Sequence, residues 1–363
     1  MRNIKKLIVK YNGKVVGYLV DVNNKAVFQY DEQWIKTGFS ISPIHLPLTN
    51  KIFNNPLKEL RNMYGVFCDS LPDGCGELIL RRMLTKKNIN YDKWSPLQKL
   101  MLISPNGLGA LTYEPSEWVE DDKLNIDLDE LAKAVLHIYN DKETNKDLDE
   151  LYCLGASSGG ARPKAHVEIN NEYYIVKFPC SLDQKDIGKK EYEANQLAKA
   201  CGINVNEFKL FPSKTCSGYF GAKRFDRKGD KRVHMISLSS VLETTHRVPN
   251  LDYIHLLQVI NMICCDKSDL YEGYRRMCFN VFYKNRDDHG KNFSFIYDNG
   301  YKLSPAYDLT STNDNCEHEM TVNGKGKPTE KDLLDVAKQM KMSLSKCQEI
   351  INKVKQVLKK HNS

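Results

Sequence analysis

A hairpin pattern at residues 164–178 constrains the fold of this 363-residue chain most strongly. Two runs with alternating apolar residues, "KAHVEI" and "EYYIVKF", flank the pair Asn170-Asn171. A period of two places every second side chain on one face of a strand, and asparagine favours the tight turns of hairpins. An antiparallel sheet is therefore expected here, with further strands predicted at 207–211 and 219–225.

The first half of the chain predicts a second β-rich region followed by helices. Residues 6–30 contain three strand-like runs separated by asparagine-containing turns, which predicts a β-meander. Residues 55–87 have helical character with a break at 72–74, because the triplet Pro-Asp-Gly ends one helix and starts another. A helix is predicted over 127–140, and the charged run 141–150 is typical of a linker.

Helical patterns dominate the remainder. A helix is predicted at about 186–201, closed by Gly202, and helices prevail from residue 251 onward except in the segment 286–315. The sequence therefore predicts an α+β protein with a small sheet-rich lobe before a mostly helical lobe. The expected domains are 1–147 (β-meander and helices), 148–245 (sheet-rich) and 246–363 (helical).

Composition limits the class of protein. Hydrophobic residues make up 41% and aromatic residues 10% of the chain, as in folded proteins. No apolar run approaches the roughly 20 residues that a membrane helix needs. The apolar run at 7–9 is too short for the core of a signal peptide. We expect a cytoplasmic protein without a membrane partner.

Net charge does not decide the class of partner, whereas cysteine content argues against two classes of protein. The net charge of +7 suits an acidic partner such as a nucleic acid or a phosphate-bearing ligand, but solvated lysine-rich faces explain it equally. The eleven cysteines are scattered, odd in number and without a CxxC pair, which argues against a zinc site and against a disulfide framework. Reduced, mostly buried thiols are expected.

The first polar motif is "GASSGGARPK" at residues 155–164. Glycine allows backbone N–H groups to approach a ligand closely, so such a loop can wrap phosphate oxygens, although alone it is more often a flexible turn. The candidate phosphate-binding residues of this segment are Ser157, Ser158, Gly159, Gly160, Ala161 and Lys164.

The second motif places a charge in an apolar strand. Lys177 lies in the run "IVKF", where a buried ammonium group costs free energy unless it meets an anion. A lysine that reaches the surface is the alternative interpretation. The helix that follows offers Glu191 and Glu193 as partners that would orient the lysine, although exposed helical carboxylates are common.

The third motif is "NRDDHGKNFSF" at residues 285–295. Asp287 and Asn292 stand five positions apart where a helix runs into a strand, and Asp308 follows a later strand. Because magnesium prefers oxygen ligands, Asn292 and Asp308 are candidate metal ligands, which leaves Asp287 to accept or orient a hydroxyl proton.

Three neighbours complete this segment. His289 is a candidate phosphate contact, and a structural hydrogen bond is an equal alternative. Asp288 is expected to stabilise the turn, and Lys291 to cap it or form a salt bridge.

The order of these parts is that of protein kinases: glycine loop, strand lysine, helix glutamate, Asp-x4-Asn and a second aspartate. The kinase signatures HRD, DFG and GxGxxG are not intact. The joint order on suitable elements, and no single motif, therefore favours a kinase.

At these residues the chain resembles the HipA family of bacterial toxin serine/threonine kinases. The similarity lies in "SSGGARPKA", "IVKFP", "EYEANQLAKACGI", "KRFDR", "DDHGKNFSF" and "LSPAYDLTST", while "FQYDEQWI" and "SLPDG" resemble the family's N-terminal domain. The resemblance covers most of the chain, and "DDHGKN" together with "SPAYDL" is its most specific part.

The resemblance implies a two-lobed, protein-kinase-like (HipA-type) α+β fold with an extra N-terminal α/β domain. It implies ATP and Mg²⁺ as cofactors and a protein substrate, since family substrates include aminoacyl-tRNA synthetases. It also implies a HipB-type helix-turn-helix antitoxin, with DNA contacted only indirectly through that partner. Family members autophosphorylate a serine of the glycine loop, which corresponds to Ser157 or to its neighbour Ser158.

By the same resemblance, the catalytic residues are Asp287, Lys177, Glu191 and His289, and the metal ligands are Asn292 and Asp308. The alignment favours Glu191 over Glu193. Arg162-Pro163 departs from the family's loop, because proline fixes its own φ and restricts the residue before it.

Two alternative functions stay open. One is a non-catalytic, pseudokinase-like co-repressor bound to an antitoxin and DNA, which the occupied catalytic-type positions disfavour. The other is a small-molecule kinase of the aminoglycoside or choline type, which shares the Asp-x4-Asn and second-aspartate arrangement. The "SLPDG" region and the serine-bearing loop argue against it.

Overall fold

The structure, a computed structural model, describes residues 4–103, 107–117, 127–140, 162–180, 183–245, 247–312 and 316–361. The predicted linker at 141–150, the domain boundary near 147 and the loop residues Ser157, Ser158, Gly159, Gly160 and Ala161 lie outside the described residues. The chain forms two compact units. The first contains Met1–Lys189, Phe208–Ile236 and Ser240–Thr244, and the second contains Lys190–Glu207, Ser237–Ser239 and Thr245–Ser363.

A five-stranded antiparallel sheet forms the N-terminal part of the first unit, with the strand order β4-β3-β2-β1-β5. Its strands are β1 Lys6–Tyr11, β2 Lys14–Val22, β3 Lys25–Tyr30, β4 Ile52–Phe53 and β5 Leu111–Glu114. The predicted β-meander is confirmed. Asparagines with positive φ, such as Asn12 at 45°, make its turns.

Several helices follow β3 along the chain. They are α1 Glu32–Thr37, α2 Gly65–Cys68, α3 Gly74–Lys86, α4 Pro96–Met101 and α5 Leu128–Tyr139. Helices α1 and α4 contact this sheet. The helix at 127–140 and the new helix start at Gly74 are confirmed. The helix predicted before residue 72 is much shorter than expected, because Arg61 and Asn62 have φ values of 57° and 59°. Left-handed backbone at two consecutive residues cannot continue a right-handed helix.

The predicted hairpin opens a four-stranded antiparallel sheet with the order β6-β7-β9-β8. Its strands are β6 Lys164–Ile169, β7 Glu172–Lys177, β8 Phe208–Phe211 and β9 Tyr219–Lys223. Asn170 and Asn171 have φ values of 53° and 62°, as a two-residue turn of type I′ requires. The hairpin is confirmed.

One hydrophobic core joins this sheet to the helices that precede it. Leu80 of α3, Leu131 of α5 and Tyr174 of β7 are each fully buried and belong to the same cluster. The packing explains why helices from the first 140 residues and the later sheet form a single compact unit. The three-domain division stays a prediction.

Asp226 connects the same sheet to the segment before β5. Its carboxylate accepts hydrogen bonds from Arg224 Nε at 2.9 Å, Arg227 Nη1 at 2.9 Å and the Gly109 N–H at 2.7 Å. Both arginines also donate to the Gly107 carbonyl. Burial alone would raise the pKa of Asp226, but the two guanidinium groups hold it well below its usual range. The "KRFDR" motif thus builds the interior of the first unit.

Beyond β9, short strands lead into the helical second unit. The strands are β10 Arg227–Lys228, β11 Lys231–Arg232, β12 His234–Ser237, β13 Ser294–Tyr297 and β14 Tyr301–Leu303. The helices are α6 Ile187–Ala200, α7 Leu238–Val241, α8 Tyr253–Ile263, α9 Ser268–Tyr283, α10 Glu330–Gln339 and α11 Leu344–His361. Helix α9 contacts α8, α10 and α11, and its buried residues include Tyr274 and Phe279. The helices predicted in this region are confirmed.

The ten described cysteines are free thiols, of which Cys265 and Cys316 are exposed and four are fully buried. Burial is therefore less complete than the sequence analysis predicted. Among the described residues, no helix combines the length and apolar character needed to cross a bilayer.

Glu243 is an ionisable group enclosed in the first unit. Its side chain is 8% exposed, and Oε1 accepts a hydrogen bond from the Gly65 N–H at 2.8 Å. Oε2 is buried without a hydrogen-bond partner in the described part of the chain. Burial raises the pKa of Glu243 to about 7, because the carboxylate loses more hydration than one hydrogen bond returns.

We expect Glu243→Gln to remove a pH dependence of stability. A folded-state pKa above the ordinary value of 4.5 means that the folded chain holds this proton more tightly than the unfolded chain. The free energy of unfolding should therefore fall by up to about 3 kcal/mol as pH rises from the ordinary pKa to about 7. Chemical denaturation of both proteins at several pH values measures this difference.

The exposed Glu59→Gln variant is the matched control and should retain the wild-type pH profile. If Glu243→Gln also retains the wild-type pH profile, the buried carboxylate is not the cause of the pH dependence of stability.

Candidate active site

The polar segment at 285–295 begins at the end of α9. Lys284 adopts left-handed backbone, and its N–H donates to the Asn280 carbonyl. Asn285 is 2% exposed and uses its side-chain amide twice. Its Nδ2 donates to Asn280 Oδ1 at 3.1 Å and to the Asp308 carbonyl at 3.0 Å. The start of the segment is therefore fixed to both the helix end and the backbone of Asp308.

Asp287 and Asn292 are joined by a hydrogen bond across a short 3₁₀ turn at Gly290–Asn292. Asn292 Nδ2 donates to the Asp287 carbonyl at 2.6 Å, and the Asn292 N–H donates to the His289 carbonyl. Because the amide nitrogen is used in this way, the orientation of the amide is fixed and its oxygen points to the opposite side. The Asp287 side chain is 56% exposed. One carboxylate and one oriented amide oxygen thus belong to a single turn.

Gly290 lets this turn pack closely against Ser239 and Leu251 of the same unit. A Cβ atom at this position would lie 2.6 Å from Ser239 Oγ and 2.7 Å from Leu251 Cδ1. No larger residue fits without movement of these neighbours.

Asp308 has an unusual backbone conformation. Its φ of 53° lies in the left-handed region, which non-glycine residues occupy rarely and at a cost. Hydrogen bonds at its flanks hold it: Asn285 binds its carbonyl, and Tyr307 Oη donates to the Lys291 carbonyl at 2.7 Å. The structure therefore brings Asp287, Asn292 and Asp308 into one hydrogen-bonded assembly.

Asp288 is completely buried beside this assembly. Its Oδ2 lies 2.6 Å from Tyr253 Oη and 2.7 Å from His318 Nδ1, and its Oδ1 accepts the N–H groups of Glu319 at 2.9 Å and Met320 at 3.4 Å. Asp288 has a structural role, as expected, but its hydrogen bonds reach far beyond its own turn. The carboxylate joins the loop to residues about thirty positions away, which no local sequence signal indicates.

The hydrogen bonds of Asp288 continue through Tyr253 to Asn280 and Asn285. Asn280 Nδ2 donates to Tyr253 Oη at 2.9 Å, and Asn280 Oδ1 accepts from Asn285. Burial, followed by the charge of Asp288, raises the pKa of Tyr253 well above its usual value. A continuous chain of hydrogen bonds thus runs from His318 through Asp288 to the backbone of Asp308.

Other predicted residues of the second unit differ in burial. Glu191 of α6 is 2% exposed. Glu193 is half-buried, and its charge contributes, after burial, to a raised pKa of Tyr283. His289 Nε2 lies 3.7 Å from Asp287 Oδ1. Because Glu191 is buried and Glu193 is only half-buried, Glu191 stays the better candidate for the carboxylate predicted to orient Lys177.

Glu319 is a site residue that the sequence analysis missed. The backbone N–H of Glu319 is bound to the loop, because it donates to Asp288 and lies 3.2 Å from the Arg286 carbonyl. Burial, and then the nearby charge of Asp287, raises the pKa of the Glu319 carboxyl. A second carboxylate therefore lies near Asp287.

Lys177 and Lys164 lie in the first unit, at one end of the four-stranded sheet. Lys177 is the last residue of β7 and stands directly opposite Lys164 of β6. It is half-buried, with Nζ 5.8 Å from the centre of the Phe220 ring. Two ammonium groups thus stand on neighbouring strands at the same end of the sheet. The pair is suited to bind phosphate oxygens.

An antiparallel sheet with paired lysines, a helical unit with an Asp-x4-Asn turn and a second aspartate together define an α+β protein of the kinase-like class. Residues 156–361 match the family model of the HipA-like C-terminal domain, and residues 7–114 match that of the HipA N-terminal domain. The chain belongs to the HipA family.

Named relatives and one solved structure agree with this assignment. A Sinorhizobium fredii protein that bears the name "Putative kinase Y4dM" is 31% identical over 340 residues, which cover 88% of this chain and 80% of the relative. "Putative kinase Y4mE" of the same organism is 24% identical over 341 residues, covering 85% and 78%.

HipA of Shewanella oneidensis MR-1, solved with HipB and operator DNA, superposes with a TM-score of 0.73. The match covers 97% of this chain and 88% of that chain at 17% identity, which shows a common fold.

We expect Asp288→Asn to lower the free energy of unfolding by about 2–4 kcal/mol, because four donors lose a charged acceptor in a buried site. Denaturant titration measures the loss. Tyr253→Phe, which removes one hydroxyl, should lower the free energy of unfolding by about 1–2 kcal/mol. This milder variant tests the network if Asp288→Asn does not fold.

The matched control is Asp298→Asn, which removes a partly exposed carboxylate 3.7 Å from Lys302. It should change stability by less than about 1 kcal/mol. Equal losses for Asp288→Asn and Asp298→Asn would contradict the importance of the network.

Proposed function

We propose that this protein is an ATP- and magnesium-dependent kinase that transfers the γ-phosphoryl group to a serine or threonine of another protein. The observation that carries the proposal is the hydrogen-bonded assembly of Asp287, Asn292 and Asp308. These are the residue types that kinases use to orient the acceptor hydroxyl and to hold the metal. Membership of the HipA family supports the same reaction.

Asn292 and Asp308 fit a magnesium site chemically. Magnesium takes oxygen ligands and is usually held by one or two protein groups together with substrate phosphates. The hydrogen bond from Asn292 Nδ2 to Asp287 leaves the amide oxygen for a cation, and Asp308 adds a carboxylate. Bound magnesium would neutralise charge on the phosphates.

Asp287 would orient the acceptor hydroxyl and accept its proton. Its side chain is largely exposed, so a protein substrate can reach it, while its backbone is held by Asn292. His289, close to Asp287, would contact the transferring phosphoryl group. Most of the catalytic effect would come from positioning and charge stabilisation.

The phosphates of ATP would be bound from the first unit. Lys164 and Lys177, which stand opposite each other on neighbouring strands, would contact the phosphate oxygens, and Glu191 would orient Lys177. Backbone N–H groups of residues 157–161 would cover the phosphates, as glycine-rich loops do.

The relatives suggest partners for this reaction. The solved HipA was obtained together with HipB and operator DNA. We infer a HipB-type antitoxin as partner of this chain, with DNA reached only through it. An aminoacyl-tRNA synthetase is the proposed class of phosphorylated protein.

Asp287→Asn should abolish ATP-dependent phosphate transfer, by at least about a hundredfold, because the amide cannot accept the hydroxyl proton. Transfer of radiolabel from γ-labelled ATP to protein measures the rate, and circular dichroism should show an unchanged fold. Asp230→Asn, at an exposed turn of the first unit, is the control and should label at the wild-type rate. Wild-type labelling by Asp287→Asn would rule out Asp287 as the base.

Self-modification of the glycine loop gives a second test. Mass spectrometry of the wild-type chain after incubation with ATP and magnesium should find one phosphate on Ser157 or Ser158. Ser157→Ala and Ser158→Ala separate the two positions, since only the correct substitution removes the modification. A chain that consumes ATP only when a soluble sugar or amine is added would instead be a small-molecule kinase.

A further inference from the structure

A cavity of about 740 Å³ lies in the second unit beside the proposed catalytic loop. Residues 249–252 and 316–319 line most of it. The second of these segments is bound to the loop, because the Glu319 N–H donates to Asp288 and lies 3.2 Å from the Arg286 carbonyl. A ligand in the cavity would therefore lie next to the turn that carries Asp287.

His318 gives this cavity a defined hydrogen-bonding group. The side chain is 8% exposed and lines the cavity, and its Nδ1 lies 2.7 Å from Asp288 Oδ2. Asp288 accepts from every other group that contacts it, so Nδ1 is the donor of this pair, and in the ring with a single proton Nε2 is an acceptor. Within the described residues, no group hydrogen-bonds Nε2. The lining residue His318 thus has one ring nitrogen without a partner in the described part of the chain.

Glu319 adds a negative charge to the same wall. Its carboxylate forms no ion pair within the described part of the chain. The neighbouring carboxylate of Asp287 repels it, and the nearby His289 offsets part of that repulsion. The other acidic side chains of the cavity differ. Glu317 Oε1 lies 3.7 Å from Lys327 Nζ, and Asp252 accepts hydrogen bonds from Thr321 and Gly324. Of the three acidic side chains that line the cavity, Glu319 is therefore the one without a hydrogen bond or ion pair to its carboxylate in the described part of the chain.

We propose that this cavity binds a lysine or arginine side chain of the protein substrate next to the phosphorylated serine or threonine. The proposal rests on the kinase function given above and names the substrate class more closely. A cationic donor would satisfy the Glu319 carboxylate and His318 Nε2 together, as neither an anion nor an apolar side chain would. Glu319 is then the specificity-determining residue, and Asp288 positions His318.

Peptide phosphorylation by the full-length chain tests the proposal. Three serine peptides differ only in whether lysine, glutamine or glutamate flanks the serine, and kcat/KM is measured for each. Wild-type protein should prefer the lysine peptide over the glutamate peptide by at least about tenfold, as expected for one charge-assisted hydrogen bond. Glu319→Gln should abolish most of this preference, and Glu319→Lys should reverse it.

Glu349→Lys is the matched control, because Glu349 is an exposed residue of α11 in the same unit and the variant carries the same change in net charge. It should keep the wild-type preference. Binding of a lysine peptide in which alanine replaces serine, followed by fluorescence anisotropy, measures the cavity without catalysis. Glu319→Lys should weaken that binding by at least about tenfold.

The two proposals fail in different ways. Self-phosphorylation of the wild-type chain without any preference among the peptides, and without tighter binding of the lysine peptide, overturns the cavity proposal alone. Absence of all labelling, with tight and Glu319-dependent binding of the lysine peptide, overturns the kinase function but supports a cation-binding cavity. A Glu319→Lys variant that changes the KM for MgATP and leaves peptide KM unchanged also overturns the cavity proposal.

Discussion

The carboxylate of Asp288 is the interaction on which the second unit depends. A fully buried charge is stable only when donors surround it, and here one hydroxyl, one imidazole and two backbone N–H groups do so. These donors come from the start of α8 and from residues 318–320. The loop with Asp287 therefore cannot shift without breaking bonds to both segments, so its geometry is fixed before any ligand binds.

The same arrangement explains why the site residues lie outside regular elements. Left-handed backbone at Lys284 and Asp308 turns the chain sharply at both ends of the assembly, which a helix or strand does not permit. Asn285 stabilises these costly conformations, because its side chain donates hydrogen bonds to Asn280 at the end of α9 and to the Asp308 carbonyl. Conformations that are costly on their own persist because the surrounding hydrogen bonds hold them.

Local signals in the sequence were sufficient for most elements, and they singled out Asp287, Asn292 and Asp308, which the structure brings close together. The Asn170-Asn171 hairpin is an example, because turn chemistry and alternation act over a few residues. The links between distant segments were not predictable: Asp288 finds His318 thirty positions away, and Leu80 packs with Tyr174 across almost a hundred. Neither periodicity nor composition records which polar or apolar group will be the partner, since that depends on tertiary packing.

Glu319 differs from Asp288 in that its carboxylate does not stabilise the folded chain. Asp288 is satisfied from all sides and serves the folded state itself, whereas Glu319 lies near Asp287 and both are negatively charged. Repulsion between them is unfavourable in the folded chain, and a network optimised only for stability would have replaced one of the two. A positive charge that enters the cavity would relieve this repulsion, because it would add to the partial compensation that His289 gives Glu319.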